Sequence, residues 1–330
     1  MDVSTAVWVI TCLVILGLFI FDFFAHVRVA HEPTFRESAS WSAFYIGLAI
    51  AFGFGVWWYW GGQFGGEYFA GYVTEKALSV DNLFVFTVIM SSFAVPRKYQ
   101  QKLLLIGIVM ALIMRAGFIA LGAAAIARYS WVFYLFGIFL ILTAVKLARE
   151  SGHEQEVEKE RDSRIVALVS RFIPVSDAYD RDKFLTKVDG KRAATPLLLA
   201  LVAIGFTDLL FALDSIPAIY GLTEEPYIVF TANAFALMGL RQLYFLIGGL
   251  LDRLVYLSVG LSIILGFIGL KLMLHALHKN TLPFINGGQY VDVPEISTAL
   301  SISVIGVVLL ITTVASLIRT RGRAANKSQL

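Results

Sequence analysis

Apolar residues occur along most of this chain in long, nearly unbroken stretches that short polar segments separate. Nine stretches are long enough to cross a bilayer, since a spanning helix needs about 20 mostly apolar residues. They lie at residues 5–27, 41–60, 68–92, 101–127, 130–149, 195–220, 226–250, 254–277 and 296–318. The pattern therefore predicts an all-α fold, a polytopic membrane helix bundle of about nine transmembrane helices in contact with the lipid bilayer.

Composition supports this interpretation and excludes several other classes of protein. Of the 330 residues, 58% are apolar and 15% are charged, whereas soluble domains average about 45–50% and about 25%. The net charge of +3 is too small to indicate nucleic-acid binding. The single cysteine, Cys12, excludes a disulfide scaffold. Because no nucleophile motif, phosphate loop or dinucleotide fingerprint is present, we expect neither an enzyme nor a permanently bound cofactor.

The distribution of basic residues predicts the orientation. Nearly all Lys and Arg residues between the predicted spans fall on one side of the membrane. Positively charged loops stay in the cytoplasm. We therefore expect a multi-pass protein of the cell membrane, with its N-terminus outside and its C-terminus in the cytoplasm.

An internal repeat divides the chain. The pattern of an acid, five residues, an Asp and a small polar residue occurs at residues 75–82 and again at 208–215. The spans that carry it run in opposite directions, so two three-helix units are predicted to be inverted repeats, as in secondary transporters. The predicted units are two N-terminal transmembrane helices (1–60), repeat 1 (61–149), a cytoplasmic loop (150–194), repeat 2 (195–279), and a C-terminal transmembrane helix with a basic tail (280–330). The loop is interpreted as a connector, with docking of protein partners as the alternative.

Four carboxylates fall inside or at the edge of the apolar spans: Glu75, Asp81, Asp208 and Asp214. An ionised Asp at a helix centre costs about 2.5–3.5 kcal/mol on insertion scales, so such groups normally face a cavity, pair or bind a cation. Helical spacing places Ser79 and Asn82 on the face of Glu75. It places Ser215 on the face of Asp208. Asp81 and Asp214 point about 120° away from their partner acids.

Three interpretations of these acids remain open. Carboxylate, amide and hydroxyl oxygens suit Mg²⁺, Ca²⁺ and Mn²⁺. Alternatively, the acids form structural ion pairs with Arg115 and Arg241, which lie deeper than Lys146 and Lys271, whose side chains can reach the interface. A third interpretation, an intramembrane aspartyl protease, lacks the Tyr-Asp and Gly-x-Gly-Asp motifs of that class.

Two further residues carry local expectations. Pro217 removes a backbone donor and clashes with the carbonyl of Leu213, so the sixth span is expected to kink or open there. Asp22, near the inner end of the first span, is expected at the membrane interface.

The motifs at residues 75–84, 208–219 and 233–241 resemble those of the TerC family of integral membrane proteins, and the resemblance covers roughly residues 5–318. It implies divalent-metal handling, with Mn²⁺ export as the first expectation and Ca²⁺ or Mg²⁺ as other cargoes. The alternative is a non-transporting membrane scaffold in the tellurite-stress response or in metal delivery to secreted proteins. The hypothesised coordination set is Glu75, Asp81, Asn82, Asp208, Asp214, Ser215 and Asn233. Gly205 stands where family members often carry a Glu, which removes one carboxylate.

Overall fold

The computed structural model describes residues 1–27, 31–150, 167, 170, 173–176, 178–188, 191–247 and 256–327. Much of the predicted 150–194 loop and the side chain of Asp81 lie outside the described residues. Helices dominate the rest, which confirms the predicted all-α fold. They are α1 (Thr5–Asp22), α2 (Phe35–Trp60), α3 (Gly62–Ser92), α4 (Arg97–Arg128), α5 (Val132–Glu150), α6 (Pro196–Tyr220), α7 (Pro226–Leu237), α8 (Leu240–Ile247), α9 (Leu257–His278) and α10 (Thr298–Lys327). A π-helical turn, Phe23–Val27, follows α1, and a 3₁₀ turn, Asn286–Gly288, precedes α10.

In the described part of the chain, eight helical segments are long and apolar enough to cross a membrane, and α7 with α8 counts as one of them. The third predicted span, α3, is helical over 31 residues. It falls outside the set of eight because Glu75, Lys76 and Asp81 interrupt its apolar middle. These charges lie in the helix that contacts α2, α6, α7 and α10, at the centre of the bundle.

Local sequence signals determine where several helices begin. Thr34 and Glu37 form a capping box at the start of α2, in which each side chain accepts a hydrogen bond from the other residue's backbone N–H. Pro196 and Pro226 open α6 and α7, where the missing N–H of proline would have no helical partner anyway. Gly61, with a φ of +101°, joins α2 to α3 in a turn that a side chain would strain.

The described part of the 150–194 segment contains a small β-hairpin that the sequence interpretation did not include. Strands β1 (Leu185–Val188) and β2 (Lys191–Ala194) pair antiparallel, with Leu185 opposite Ala194. The segment before them lies against the helix ends. The Tyr179 hydroxyl donates to the Phe93 carbonyl at 2.7 Å, and Lys102 Nζ donates to Asp182 Oδ2 at 2.7 Å.

In two of the predicted spans, helix continuity differs in part from what the sequence indicates. The helix α6 does not open at Pro217 but continues to Tyr220. Pro217 removes the hydrogen bond to the Leu213 carbonyl, but only three residues of the helix follow it, so α6 ends shortly after the proline. The predicted span at 226–250 is instead broken, since Met238 is extended (φ −61°, ψ 135°) and Gly239 has a φ of +77°.

Candidate functional site

One buried arginine holds carboxylates from the middle of two helices. Arg115 of α4 is completely buried. Its Nε and Nη2 donate to the two oxygens of Asp208 in α6 at 3.1 and 2.9 Å, and its Nη1 donates to Glu75 Oε1 in α3. The planar guanidinium fits this two-pronged contact with a carboxylate. In this conformation Glu75 and Asp208 thus form ion pairs with Arg115, which is one of the three interpretations that the sequence left open.

Charge and hydrogen bonding are not balanced in this cluster. Two carboxylates face one guanidinium, so one negative charge is in excess when both acids are ionised. Ser215 Oγ accepts from Arg115 Nη1 at 3.2 Å, and Ser79 Oγ donates to Glu75 Oε1 at 3.4 Å. Glu75 Oε2 and Thr207 Oγ1 are buried without a hydrogen-bond partner. Leaving a buried polar atom unpaired costs about 1–3 kcal/mol, so the cluster retains capacity for a further positively charged or donating group.

A cavity of about 170 Å³, lined by both polar and apolar side chains, adjoins the arginine cluster. Asp214 faces it, and its Oδ1 accepts from Thr143 Oγ1 of α5 at 3.1 Å. Asn82 and Lys146 also line this cavity. Ser215 lines it too, and because Ser215 contacts Arg115, this residue connects the cavity to the cluster. Asp208 and Asp214 face different surroundings, as their six-residue spacing predicts.

The hypothesised coordination set is thus divided among several places. Glu75, Asp208 and Ser215 contact Arg115, while Asn82, Asp214 and Ser215 line the cavity. Asn233 of α7 is fully buried, with both polar side-chain atoms unpaired. Asp81 belongs to α3, but its side chain lies outside the described residues. Among the described residues, no three or more His, Cys, Asp or Glu side chains are grouped so that they could hold a metal ion.

A second buried arginine forms a cluster that the sequence interpretation missed. Asp22 was expected at the interface, but it is buried, and its Oδ1 accepts from Arg241 Nη2 at 2.8 Å. The Tyr45 hydroxyl at 2.9 Å and Gln242 Nε2 at 3.1 Å donate to the same oxygen. Arg241 Nη1 also donates to Gln101 Oε1 at 2.5 Å. The sequence feature that could have indicated this pair is the acid Asp22 in one apolar span together with Arg241 in another.

The eight candidate membrane spans in the described part of the chain, packed around buried charges, define a multi-pass membrane protein. The chain belongs to the integral membrane protein TerC family, whose family model matches residues 60–324. It is 54% identical over 327 residues to an uncharacterized membrane protein of Mycobacterium tuberculosis, which covers 99% of this chain and 82% of the relative.

Two other relatives extend this comparison. An uncharacterized membrane protein of Myxococcus xanthus is 40% identical over 318 residues, which covers 96% of this chain and 94% of the relative. The chloroplastic thylakoid membrane protein TERC of Arabidopsis thaliana is 42% identical over 243 residues, covering 74% of this chain and 62% of the relative. No solved structure matches the chain.

Proposed function

We propose that this protein exports divalent metal cations across the cell membrane, with Mn²⁺ as the principal cargo. The proposal includes neither enzymatic chemistry nor a resident cofactor, because the metal is carried rather than retained. The observation that carries it is a cavity whose polar lining includes Asp214, Asn82, Ser215 and Lys146, beside a buried cluster of two carboxylates and one guanidinium, enclosed by apolar helices. Ionisable groups inside spanning helices typically mark ion pathways. Carboxylate, amide and hydroxyl oxygens are ligands that Mn²⁺ accepts.

The contacts of Arg115 suggest how a bound cation could replace the guanidinium as the partner of the buried carboxylates. Without metal, the guanidinium neutralises part of the charge of Glu75 and Asp208. A divalent cation in the adjoining cavity meets Asp214, Asn82 and Ser215 first. Because Ser215 also contacts Arg115, a cation bound there competes with the guanidinium for the buried carboxylates. Asp81 and Asn233 remain members of the proposed coordination set, and one half rocking against the other is the proposed transport motion.

The test is manganese flux into vesicles that contain the purified full-length protein. Calcein trapped inside is quenched as Mn²⁺ enters, and Ca²⁺, Mg²⁺ and Zn²⁺ are compared by competition. We expect Asp214→Asn and Asp208→Asn to reduce the initial quench rate at least tenfold. Asp292→Asn is the matched control, because it neutralises an exposed carboxylate in the loop before α10. Equal rates for all four proteins contradict the assignment of the site.

Cells provide the second readout. Cells that express the wild type are expected to accumulate less manganese than cells that express Asp214→Asn. A wild type that moves no divalent cation in either assay overturns the proposal. That outcome favours the alternative of a non-transporting scaffold whose protein partners bind the 150–194 loop.

A further inference from the structure

One candidate membrane span is interrupted in its middle. The helix α7 ends at Leu237, Met238 is extended, Gly239 is left-handed with a φ of +77°, and α8 begins at Leu240. In a continuous helix each carbonyl accepts from the N–H four residues later. The break disturbs this pairing for the last carbonyls of α7. Inside a membrane such carbonyls need another partner, because no water is available there.

Lys76 supplies that partner from the neighbouring helix. Its Nζ donates to the Ala236 carbonyl at 2.9 Å and lies 3.4 Å from the Met238 carbonyl. The carbonyl end of a helix carries the negative end of the helix dipole, so an ammonium is favoured there electrostatically as well as by hydrogen bonding. In secondary transporters, unwound backbone carbonyls and half-helix C-terminal ends bind inorganic cations. Lys76 therefore places a covalently attached cation at a site of that chemistry.

The sequence repeat links the lysine to the break. In the first acidic motif Glu75 is followed by Lys76, whereas in the second Asp208 is followed by Leu209. The helix α4, which the repeat predicts to correspond to the α7–α8 span, continues unbroken from Arg97 to Arg128. The lysine after the first acid therefore accompanies an interrupted helix, whereas the leucine after the second acid accompanies a continuous one. This co-occurrence is expected if the carbonyls at the broken end of α7 need a nearby positive charge.

We propose that the broken end of α7 is a binding site for a small monovalent cation, and that this chain fills the site with the ammonium of Lys76. Lys76 is a positioning residue, because it stabilises the break that sets the course of α8 and of Arg241. The inference goes beyond the proposed metal export and does not depend on it. It requires only that the Ala236 and Met238 carbonyls need a positive charge.

The test replaces the tethered cation by a free one. Purified full-length wild type and Lys76→Ala are melted in detergent in choline, lithium, sodium or potassium chloride at equal ionic strength. The wild type should melt at one temperature in all four salts. In choline, Lys76→Ala should melt roughly 5 °C or more below the wild type. One inorganic cation should then raise its melting temperature saturably, as linked binding requires.

Lys271→Ala is the matched control, because it removes a half-buried lysine from α9. Its melting temperature should be the same in all four salts. A Lys76→Ala protein that is equally destabilised in every salt, or not destabilised at all, overturns the proposal. Should Lys76→Ala fail to purify, Lys76→Gln decides the question, since its amide donates but carries no charge. If one inorganic cation specifically stabilises Lys76→Gln, the proposal is supported. If Lys76→Gln melts in choline at the same temperature as the wild type, the proposal is contradicted.

Discussion

Arg115 and Arg241 each lie in the second span of a predicted repeat unit, but they have different partners. Arg115 lies in the continuous helix α4 and faces two carboxylates from two helices. Arg241 follows the break at Met238–Gly239 and faces one carboxylate, Asp22, with neutral donors around it. The arginine of the continuous helix and the arginine after the break thus contact different acids. The Arg115 cluster, with two carboxylates beside a cavity, is suited to exchange ions, whereas the Arg241 cluster anchors α1 and α2 to α8.

The largest expected effect comes from removing the charge of Arg115. Arg115→Met leaves two buried carboxylates without a counter-charge, and breaking a buried ion pair in this way costs about 3–5 kcal/mol. Thermal and denaturant unfolding of the purified protein in detergent measure the loss.

Neutralising the acids provides the control for this prediction. Adding Glu75→Gln and Asp208→Asn to Arg115→Met should recover much of the lost stability, because no uncompensated charge then remains. If the triple variant is less stable than Arg115→Met alone, packing rather than charge explains the role of Arg115.

Removing the charge of Arg241 should have a smaller effect. Arg241→Met removes the counter-charge of one buried carboxylate, but the Tyr45 hydroxyl and Gln242 Nε2 still donate to Asp22, so a loss of only about 1–3 kcal/mol is expected. Manganese flux should fall less than in Arg115→Met, because neither Asp22 nor Arg241 lines the cavity that contains Asp214. Unfolding and flux measured side by side test the ranking, and a larger loss for Arg241→Met would reverse the comparison.

The helix break can be tested at Gly239. A Cβ at this position would lie 3.0 Å from Tyr45 Cβ, and the φ of +77° is unfavourable for any L side chain. Gly239→Ala should therefore cost roughly 1–2 kcal/mol of unfolding free energy. The control is Gly117→Ala in the continuous α4, where no atom lies within 4 Å of the added Cβ. That variant should be neutral or gain up to about 1 kcal/mol. Equal losses at the two glycines would show that the break has no conformational requirement.

Sequence patterns predict the elements of this fold better than they predict its polar contacts. The sixth span was predicted at 195–220 and is observed at Pro196–Tyr220, because a long apolar run between polar segments has few alternatives. Arg115 was predicted as a credible ion-pair partner from its depth. The pairing of Asp22 with Arg241 was missed, because the sequence does not show which of the apolar spans lie side by side. The break at Gly239 was missed because apolar periodicity continues across it.

The smallest expected effect concerns charges at the end of the bundle, where solvent weakens them. Glu224 is 43% exposed, and its Oε1 lies 2.9 Å from His275 Nε2 and 2.7 Å from Lys279 Nζ. The adjacent His275 imidazole and the hydrogen bond from Lys279 lower the pKa of Glu224 to about 2. A lowered pKa stabilises the fold above the ordinary value of 4.5, and this contribution disappears as the pH falls towards about 2. Exposed pairs of this kind contribute at most about 1 kcal/mol.

Melting temperatures of wild type and Glu224→Gln between pH 7 and pH 3 measure this contribution. The difference between the two proteins should be greatest near neutral pH, shrink on acidification and decrease as salt screens the exposed charges. The buried Arg115 cluster should show little salt dependence, so the ratio of the two salt effects reports how far each cluster is shielded from solvent. A Glu224→Gln effect that is independent of both pH and salt would mean that Glu224 acts through packing alone.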